Sequence, residues 1–404
     1  MPISLPHGVR PEPGLPVPPY WHAHLSAASP GTEEAGGGPR LLDAACGYFT
    51  RRGMWSGPGQ VLAAPGAEPL LLALLAAAGG DPVLARPAPA WQAPVAELVG
   101  RPVHAVRSAP EGGGVPDPFA LLETVRRARA AGADPRLLVL SAADDPTGTV
   151  TAPELLHETC EAAAEGGLQI VSDETYSDTL HHRDTVLLSP AEMLPDHTVV
   201  LADLGATLVP AAVPVAIARF PATAHGTAWR QRTAAALAAV RAVLPAPVAA
   251  ATAYVLTEPS EVVERVAAAN RLHARTAAAA YRAVTGTGAV CRPPQAGFQL
   301  YPTLRSPDLD AAALEERLSA ALGRSVPGGH RFGDDPAEPR VRIDTGALHG
   351  RTESERRTTL AAADPLAVPH VAAALDALTA AFAALTGPDV VSGSADVRSR
   401  GAAG

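Results

Sequence analysis

The chain of 404 residues contains no lysine, because all 32 of its basic residues are arginines. This absence excludes every mechanism in which a lysine amine forms a Schiff base with a cofactor or a substrate. A GC-rich genome favours arginine, alanine, glycine and proline together, and that bias explains why lysine is scarce at the surface. It cannot supply a lysine where chemistry requires one, so the missing residue bears directly on function.

Cysteines and long apolar runs are also scarce. The three cysteines, Cys46, Cys160 and Cys291, form neither a CxxC pair nor a disulfide framework, so we expect a cytoplasmic protein. No apolar run approaches the roughly 20 residues that span a bilayer, and the N-terminus lacks the pattern of a signal peptide. We therefore expect no membrane partner. The net charge of −9, without a basic stripe, argues against nucleic acid as a partner.

The hydrophobic fraction of 47% is sufficient for a large core, and the composition changes along the chain divide it into four parts. Residues 1–40 are rich in proline and glycine and predict an extended N-terminal arm. Residues 41–258 predict a large α/β domain. Residues 259–387 predict a smaller domain that begins with a long linking helix, and residues 388–404 predict a disordered tail.

Strands and helices alternate in the large domain. Asp117 precedes a predicted helix that ends near residue 131, and Thr151 with Glu154 predicts a capping box for the next helix, which stops at Gly166. Short apolar segments bounded by turns predict strands at Arg136–Ser141, Leu168–Ser172, Thr198–Ala202 and Val215–Arg219. This alternation indicates a mostly parallel sheet covered by helices on both faces. The smaller domain is predicted to be α+β, with strands near residues 297–301 and 341–343.

Six short stretches carry a resemblance to the class I/II aminotransferases, the fold-type-I enzymes that use pyridoxal phosphate (PLP). In chain order they are Gly66-Ala67-Glu68, Trp91, Asp144-Asp145-Pro146-Thr147-Gly148, Asp173-Glu174-Thr175-Tyr176, Gly297-Phe298 and Arg342. Any one of these motifs is weak, but six in order span roughly residues 39–385. The resemblance implies the fold of this family, PLP as the cofactor, a small amino acid or carboxylate as the substrate, and a homodimer.

The resemblance also implies a role for each of these residues. The cofactor-binding positions are Gly66, Ala67, Trp91, Asp145, Asp173 and Tyr176. Of these, the Gly66-Ala67 turn corresponds to the phosphate-binding amides, Trp91 to the aromatic residue that stacks on the pyridine ring, and Asp173 to the partner of the ring nitrogen. Tyr176 and Asp145 correspond to the residues that bind the ring oxygen. Arg342 corresponds to the arginine that binds the substrate carboxylate.

The sequence departs from the family pattern at the positions on which PLP chemistry depends. Ala206 occupies the position of the Schiff-base lysine, Asp203 and Gly205 replace two serines, and Pro214 replaces the phosphate-binding arginine. Asp145, when ionised, is an acceptor only and cannot donate to a phenolate as asparagine does. Losing the charged partner of a buried anion costs roughly 3–5 kcal/mol, a hundredfold or more in affinity. We therefore expect neither covalent nor tight binding of PLP.

The residues alone leave several roles open. Asp173 and Tyr176 fit a ligand contact and a structural pair at a strand end equally well, and Arg342 fits a carboxylate clamp or a structural salt bridge. Trp91 also suits core packing. The Asp144–Asp145 pair suits an acidic pocket, but two solvated loop carboxylates are the commoner arrangement.

The histidines and Cys160 give no metal site. The motif His22-x-His24 and the pair His181-His182 lack a further ligand at helical spacing, so no metal is predicted. His181 could instead line the pocket as an acid or base. Cys160 has no activating neighbour on its predicted helix and is expected to be buried.

Three functions follow as hypotheses. The first is an aminotransferase-like protein in a biosynthetic pathway whose cleft now binds a small carboxylate or amino-acid-like ligand without PLP chemistry. Asp173, Tyr176 and Asp145 are then the candidate catalytic residues, with Arg342 as the substrate clamp. The alternative is a non-catalytic dimeric scaffold, and the second alternative is a PLP-dependent aminotransferase.

Overall fold

The structure is a computed structural model and describes residues 14–108, 113–305 and 309–386. The predicted tail at residues 388–404 lies outside this part of the chain. Nine strands and thirteen α-helices are present in the described residues. The strands are β1 (Val61–Ala64), β2 (Asp81–Arg86), β3 (His104–Arg107), β4 (Pro135–Leu140), β5 (Gln169–Asp173), β6 (Thr198–Asp203), β7 (Ala216–Arg219), β8 (Gln299–Leu300) and β9 (Ile343–Asp344).

The helices fall on either side of residue 258, and the first of them lies within the predicted N-terminal arm. Up to residue 258 they are α1 (Pro19–Ala27), α2 (Pro39–Arg51), α3 (Ala67–Ala78), α4 (Gln92–Leu98), α5 (Pro118–Ala130), α6 (Pro153–Glu165), α7 (Pro190–Met193), α8 (Ala224–Ala239) and α9 (Ala246–Leu256). Beyond it they are α10 (Ser260–Thr285), α11 (Ala311–Leu322), α12 (Glu353–Ala361) and α13 (Pro369–Thr386). The helix α10 spans the segment in which the sequence predicts a long helix.

Seven strands form one sheet in the order β1-β7-β6-β5-β4-β2-β3. The strand β7 is antiparallel to its neighbours β1 and β6, and the other pairs are parallel. The mostly parallel α/β sheet is therefore confirmed. In such a sheet the carboxyl ends of the parallel strands share one edge, where ligands bind in open α/β folds.

Alternate side chains of the strands enter different apolar clusters, as the pleat requires. On β4, Leu137 and Val139 pack with the apolar face of α3, whereas Leu138 and Leu140 pack with α5 and α6. Cys160 on α6 is fully buried in the second cluster, as predicted. Because both faces are covered, the strands are apolar throughout and polar residues are confined to their ends.

Two local predictions differ from the structure. The predicted extended arm contains the helix α1, whose Trp21 is buried in a cluster to which α9 contributes Leu256. This packing is tertiary and leaves no periodic pattern in the sequence. The predicted capping box at Thr151 is also wrong, because the N-cap of α6 is Ala152 and the helix begins at Pro153 without a side-chain cap. A proline at the first helical position has no backbone N–H, so it leaves no donor there for a capping side chain to satisfy.

The smaller domain packs α10, α11 and α13 against the short antiparallel pair β8 and β9. Among the described residues, one helix, α13, is long and apolar enough to cross a membrane by length and composition alone. Its residues Leu378 and Phe382 are fully buried in the core of this domain. The same pair β8 and β9 brings Arg342, which immediately precedes β9, toward the edge of the large sheet.

Candidate functional site

Four aspartates lie at the carboxyl edge of the sheet. Asp173 ends β5, Asp203 ends β6, and Asp144 with Asp145 follows β4. Because β6, β5 and β4 are adjacent in the sheet, their ends bring these carboxylates near one another. Burial raises the pKa of Asp144, Asp173 and Asp203, and neighbouring carboxylates add to each shift. The candidate site is therefore strongly acidic.

The carboxylate of Asp173 is buried and fully hydrogen-bonded. It accepts hydrogen bonds from Nε2 of Gln92 at 3.0 Å, and from Oγ1 and the backbone N–H of Thr175 at 2.7 and 3.2 Å. Burial raises its pKa, while these donors oppose the shift. Gln92 is a site residue that the sequence reasoning missed, although it directly follows Trp91 in the chain.

Trp91 lies at the N-terminus of α4 and is partly buried against the apolar cluster beside α3. This partial burial supports the interpretation that Trp91 packs against the core. Stacking on a ligand ring stays a prediction.

The carboxylate of Asp203 binds the start of α3. Its Oδ2 accepts a hydrogen bond from the backbone N–H of Ala67 at 3.2 Å, and its Oδ1 accepts one from the N–H of Gly205 at 2.7 Å. Gly66 adopts a φ of +106°, which turns the chain into the helix. Pro214 lies beside it, since a Cβ added at Gly66 would be 3.2 Å from Cβ of Pro214. Burial raises the pKa of Asp203 to about 6, and the two N–H donors oppose the shift.

Ala206 ends a single 3-10 turn, Leu204–Ala206, that follows β6. A methyl group at this position has no proton to transfer and no lone pair to donate. Ala206, which the family resemblance aligns with the lysine, thus has an inert side chain.

Arg342 and Asp145 form an ion pair inside the site. Nε of Arg342 donates to Oδ1 of Asp145 at 2.6 Å, and the two side chains are 11% and 13% exposed. Burial works to lower the pKa of Arg342, but the negative charge of Asp145, together with Tyr176 and Asp344, raises it above its usual value. The structure therefore supports the salt-bridge interpretation of Arg342. It also shows that Asp145 is not a solvated loop carboxylate.

Tyr176 lies beside this pair. Its ring meets the ring of Phe298 edge to face at a centroid distance of 5.5 Å. Burial and the nearby Asp145 carboxylate raise the pKa of Tyr176 well above its usual value, although Arg342 opposes the shift. The hydroxyl is therefore protonated at neutral pH. It can donate or accept a hydrogen bond there, but it does not act as a phenolate.

Asp144 is buried beneath the loop that carries Asp145. Its Oδ2 accepts from Oγ1 of Thr147 at 2.6 Å, whereas Oδ1 is buried without a hydrogen-bond partner in the part of the chain that the structure describes. Burial raises the pKa of Asp144 to about 7. The expectation of a solvated carboxylate was wrong here too, because the loop is covered by the segment around Gln299, which donates to the backbone oxygen of Asp144.

The remaining candidates have structural partners. Both ring nitrogens of His181 face backbone carbonyls, those of Gly297 at 2.7 Å and Pro294 at 3.3 Å, so this ring fastens two segments together. The ring of His24 stacks on Tyr254 at a centroid distance of 3.7 Å. In the described residues, no group of three or more histidine, cysteine or carboxylate side chains could hold a metal ion.

Comparisons with known proteins agree with this geometry. The family model for aminotransferase class I and II matches residues 36–356. An aspartate/prephenate aminotransferase from Thermus thermophilus is 32% identical over 167 residues, and a probable one from Thermus aquaticus is 34% identical over 170 residues. These matches cover 40% of the chain and only about two fifths of each relative, 40% and 41% respectively.

The fold similarity extends further than the sequence similarity. The structure of the Thermus thermophilus aspartate aminotransferase with maleate has a TM-score of 0.76 at 21% identity and covers 92% of this chain and 90% of its own. An aromatic aminotransferase from Pyrococcus horikoshii has a TM-score of 0.73 at 18% identity, covering 92% and 93%. The family match over most of the chain leads to one conclusion: this protein belongs to the class I and II aminotransferase family.

Proposed function

We propose that this family member does not carry out lysine-dependent transamination and that its cleft binds a small amino-acid-like ligand instead. The observation that carries the proposal is Ala206 at the lysine position of a chain that contains no lysine at all. No realignment of the sequence can supply the missing amine. The retained polar residues of the site are then available for binding.

The residues present do not fit PLP. The amide of Ala67, which would face a cofactor phosphate, already binds the Asp203 carboxylate, and Pro214 supplies no positive charge beside it. A phosphate would meet a carboxylate in a buried place, and like charges there are strongly unfavourable. We therefore assign PLP no step in the function of this protein.

The ion pair of Arg342 and Asp145 supports an amino-acid-like ligand. Their hydrogen bond uses Nε of Arg342 and Oδ1 of Asp145 and leaves the terminal guanidinium nitrogens and Oδ2 for other partners. A guanidinium binds a carboxylate well, and a carboxylate oxygen accepts from an ammonium group. The pair thus offers adjacent positive and negative groups, which a zwitterion matches better than a simple carboxylate does.

The names of the matched relatives favour a second candidate, a working aminotransferase of aspartate or prephenate. One assay separates the two. The purified protein is supplied with saturating PLP, aspartate and a 2-oxo acid, and product formation is followed against a mixture of PLP and substrates without protein. We expect no turnover above that background. Turnover in proportion to protein concentration would overturn the proposal.

Calorimetric titration with aspartate and with its 2-oxo acid tests the ligand. We expect the wild type to prefer the amino acid. Asp145→Asn should weaken amino-acid binding more than binding of the 2-oxo acid, because only the ammonium group loses its anionic partner. An exposed arginine on α5, Arg127, gives the control Arg127→Gln, which should leave both affinities unchanged. If the wild type binds neither ligand, the cleft is not a binding site and the scaffold hypothesis takes its place.

A further inference from the structure

The helix α3 begins without a capping side chain of its own. Its N-cap residue is Gly66, and the first N–H groups of an α-helix have no partner within the helix. The partner of the Ala67 N–H comes from another strand, because Asp203 at the end of β6 reaches across to it. The same carboxylate accepts from Gly205, so its two oxygens bind two different backbone segments.

This arrangement is the one in which proteins bind a free anion. Backbone N–H groups converge on one negative group, and the positive end of the α3 dipole faces it. The bound group here is the chain's own side chain. Glu68, a further negative group, lies in the first turn of α3, and the apolar ring of Pro214 packs beside Gly66.

We infer that Asp203 is a built-in anion that fills a latent phosphate site formed by the N–H groups of Ala67 and Gly205 at the N-terminus of α3. It excludes external phosphate in the wild type, both by occupying the site and by its negative charge. Shortening this one side chain should open the site to phosphate. The inference deepens the proposed function, because it gives the structural reason why a phosphorylated cofactor does not fit.

Inorganic phosphate is the probe, and binding is measured by calorimetric titration with the wild type, Asp203→Ser and Asp203→Asn. We expect Asp203→Ser to bind phosphate at least ten times more tightly than the wild type. Asp203→Asn should bind phosphate more weakly than Asp203→Ser, because the amide still fills the space even though the negative charge is gone. The matched control is Asp117→Ser, which makes the same substitution at the N-cap of α5, where the aspartate serves its own helix and serine can still cap it.

Thermal unfolding gives a second readout. Asp203→Ser should melt at a lower temperature than the wild type in chloride buffer and recover in phosphate, whereas any change in the melting temperature of Asp117→Ser should be the same in both buffers. If Asp203→Ser does not fold in chloride buffer, melting temperatures cannot be compared. The measurement is then whether the variant refolds when phosphate is added.

Equal phosphate affinity of the wild type and Asp203→Ser, or no recovery in phosphate, would overturn the inference. So would phosphate binding by Asp203→Asn as tight as that of Asp203→Ser. None of these measurements involves PLP or an amino acid, so their failure is distinct from a failure of the proposed function.

Discussion

The guanidinium of Arg342 and the carboxylate of Asp145 meet at 2.6 Å, although the two residues are 197 positions apart in the chain. Asp145 stands where the family has an asparagine, and Arg342 is the arginine that the family resemblance assigns to the substrate. The chain has therefore placed a negative charge of its own beside that arginine. This replacement alters both the stability of the site and the charge that a ligand meets there.

Removing either partner of this pair should be costly. Arg342→Gln or Asp145→Asn removes one member of a buried ion pair, and such changes cost roughly 3–5 kcal/mol. The double variant should lose less than the sum of the two, because neither charge remains. Urea unfolding of the two single variants and the double variant gives the coupling free energy.

A surface pair gives the comparison for this cycle. Arg126 and Glu123 also form an ion pair, but their side chains are 71% and 42% exposed. Arg126→Gln should therefore change the free energy of unfolding little, since exposed pairs are well solvated. A loss for Arg342→Gln no larger than the loss for Arg126→Gln would contradict the buried-pair argument.

The loop that presents Asp145 depends on a glycine. Gly148 adopts a φ of +68°, and a Cβ there would lie 2.5 Å from the backbone oxygen of Gln299. Its own carbonyl accepts from the N–H groups of Gln295 and Ala296 at 2.7 and 3.0 Å, so this residue fastens the loop to the smaller domain. Gly148→Ala should therefore separate the loop from the segment that contains Gln295, Ala296 and Gln299.

We expect Gly148→Ala to lower the free energy of unfolding by at least about 3 kcal/mol, because backbone strain and a steric clash add. The control is Gly288→Ala, at a φ of +97° with nothing within 4 Å of the added Cβ, which isolates the backbone strain. That variant should lose only about 1–3 kcal/mol. Denaturant unfolding measures the loss in free energy of unfolding for both variants. Equal losses would mean that the contact with Gln299 does not contribute to the destabilisation.

Much of the fold could be predicted from the sequence, because its signals are local. The apolar segments that became β4, β5 and β6 were each bounded by turn residues, and their polar ends marked the carboxyl edge of the sheet. The helix α5 was predicted from Asp117 and the proline after it, and Asp117 does cap that helix. These features depend on neighbours in the chain, so a single sequence contains them.

The partners of the site residues could not be predicted in the same way. Asp203 contacts Ala67 over a separation of 136 residues, and nothing near either residue indicates the other. Substituting aspartate for serine was visible in the sequence, but its hydrogen bonds to two amides depend on how β6 and α3 pack. The same holds for the contact of Asp144 with Gln299, which donates to its backbone oxygen over a separation of 155 residues.

The buried carboxyl group of Asp144 makes stability depend on pH in a defined direction. Burial raises its pKa from 3.8 to about 7, so between these values the folded state holds a proton that the unfolded state has released. The free energy of unfolding therefore falls as the pH rises through this window. Oδ1 has no hydrogen-bond partner among the described residues, so its ionisation is not compensated there.

Asp144→Asn removes this titration and keeps the shape of the side chain. We expect the variant and the wild type to have similar stability near pH 4, where the carboxyl group is neutral in the folded protein. Near pH 8 the variant should be more stable by a few kcal/mol, on the order of the pKa shift converted to free energy. Urea unfolding at both pH values measures the difference between the two proteins, so titrations common to both cancel. If that difference is the same at pH 4 and pH 8, the carboxyl group of Asp144 does not titrate in the buried state described here.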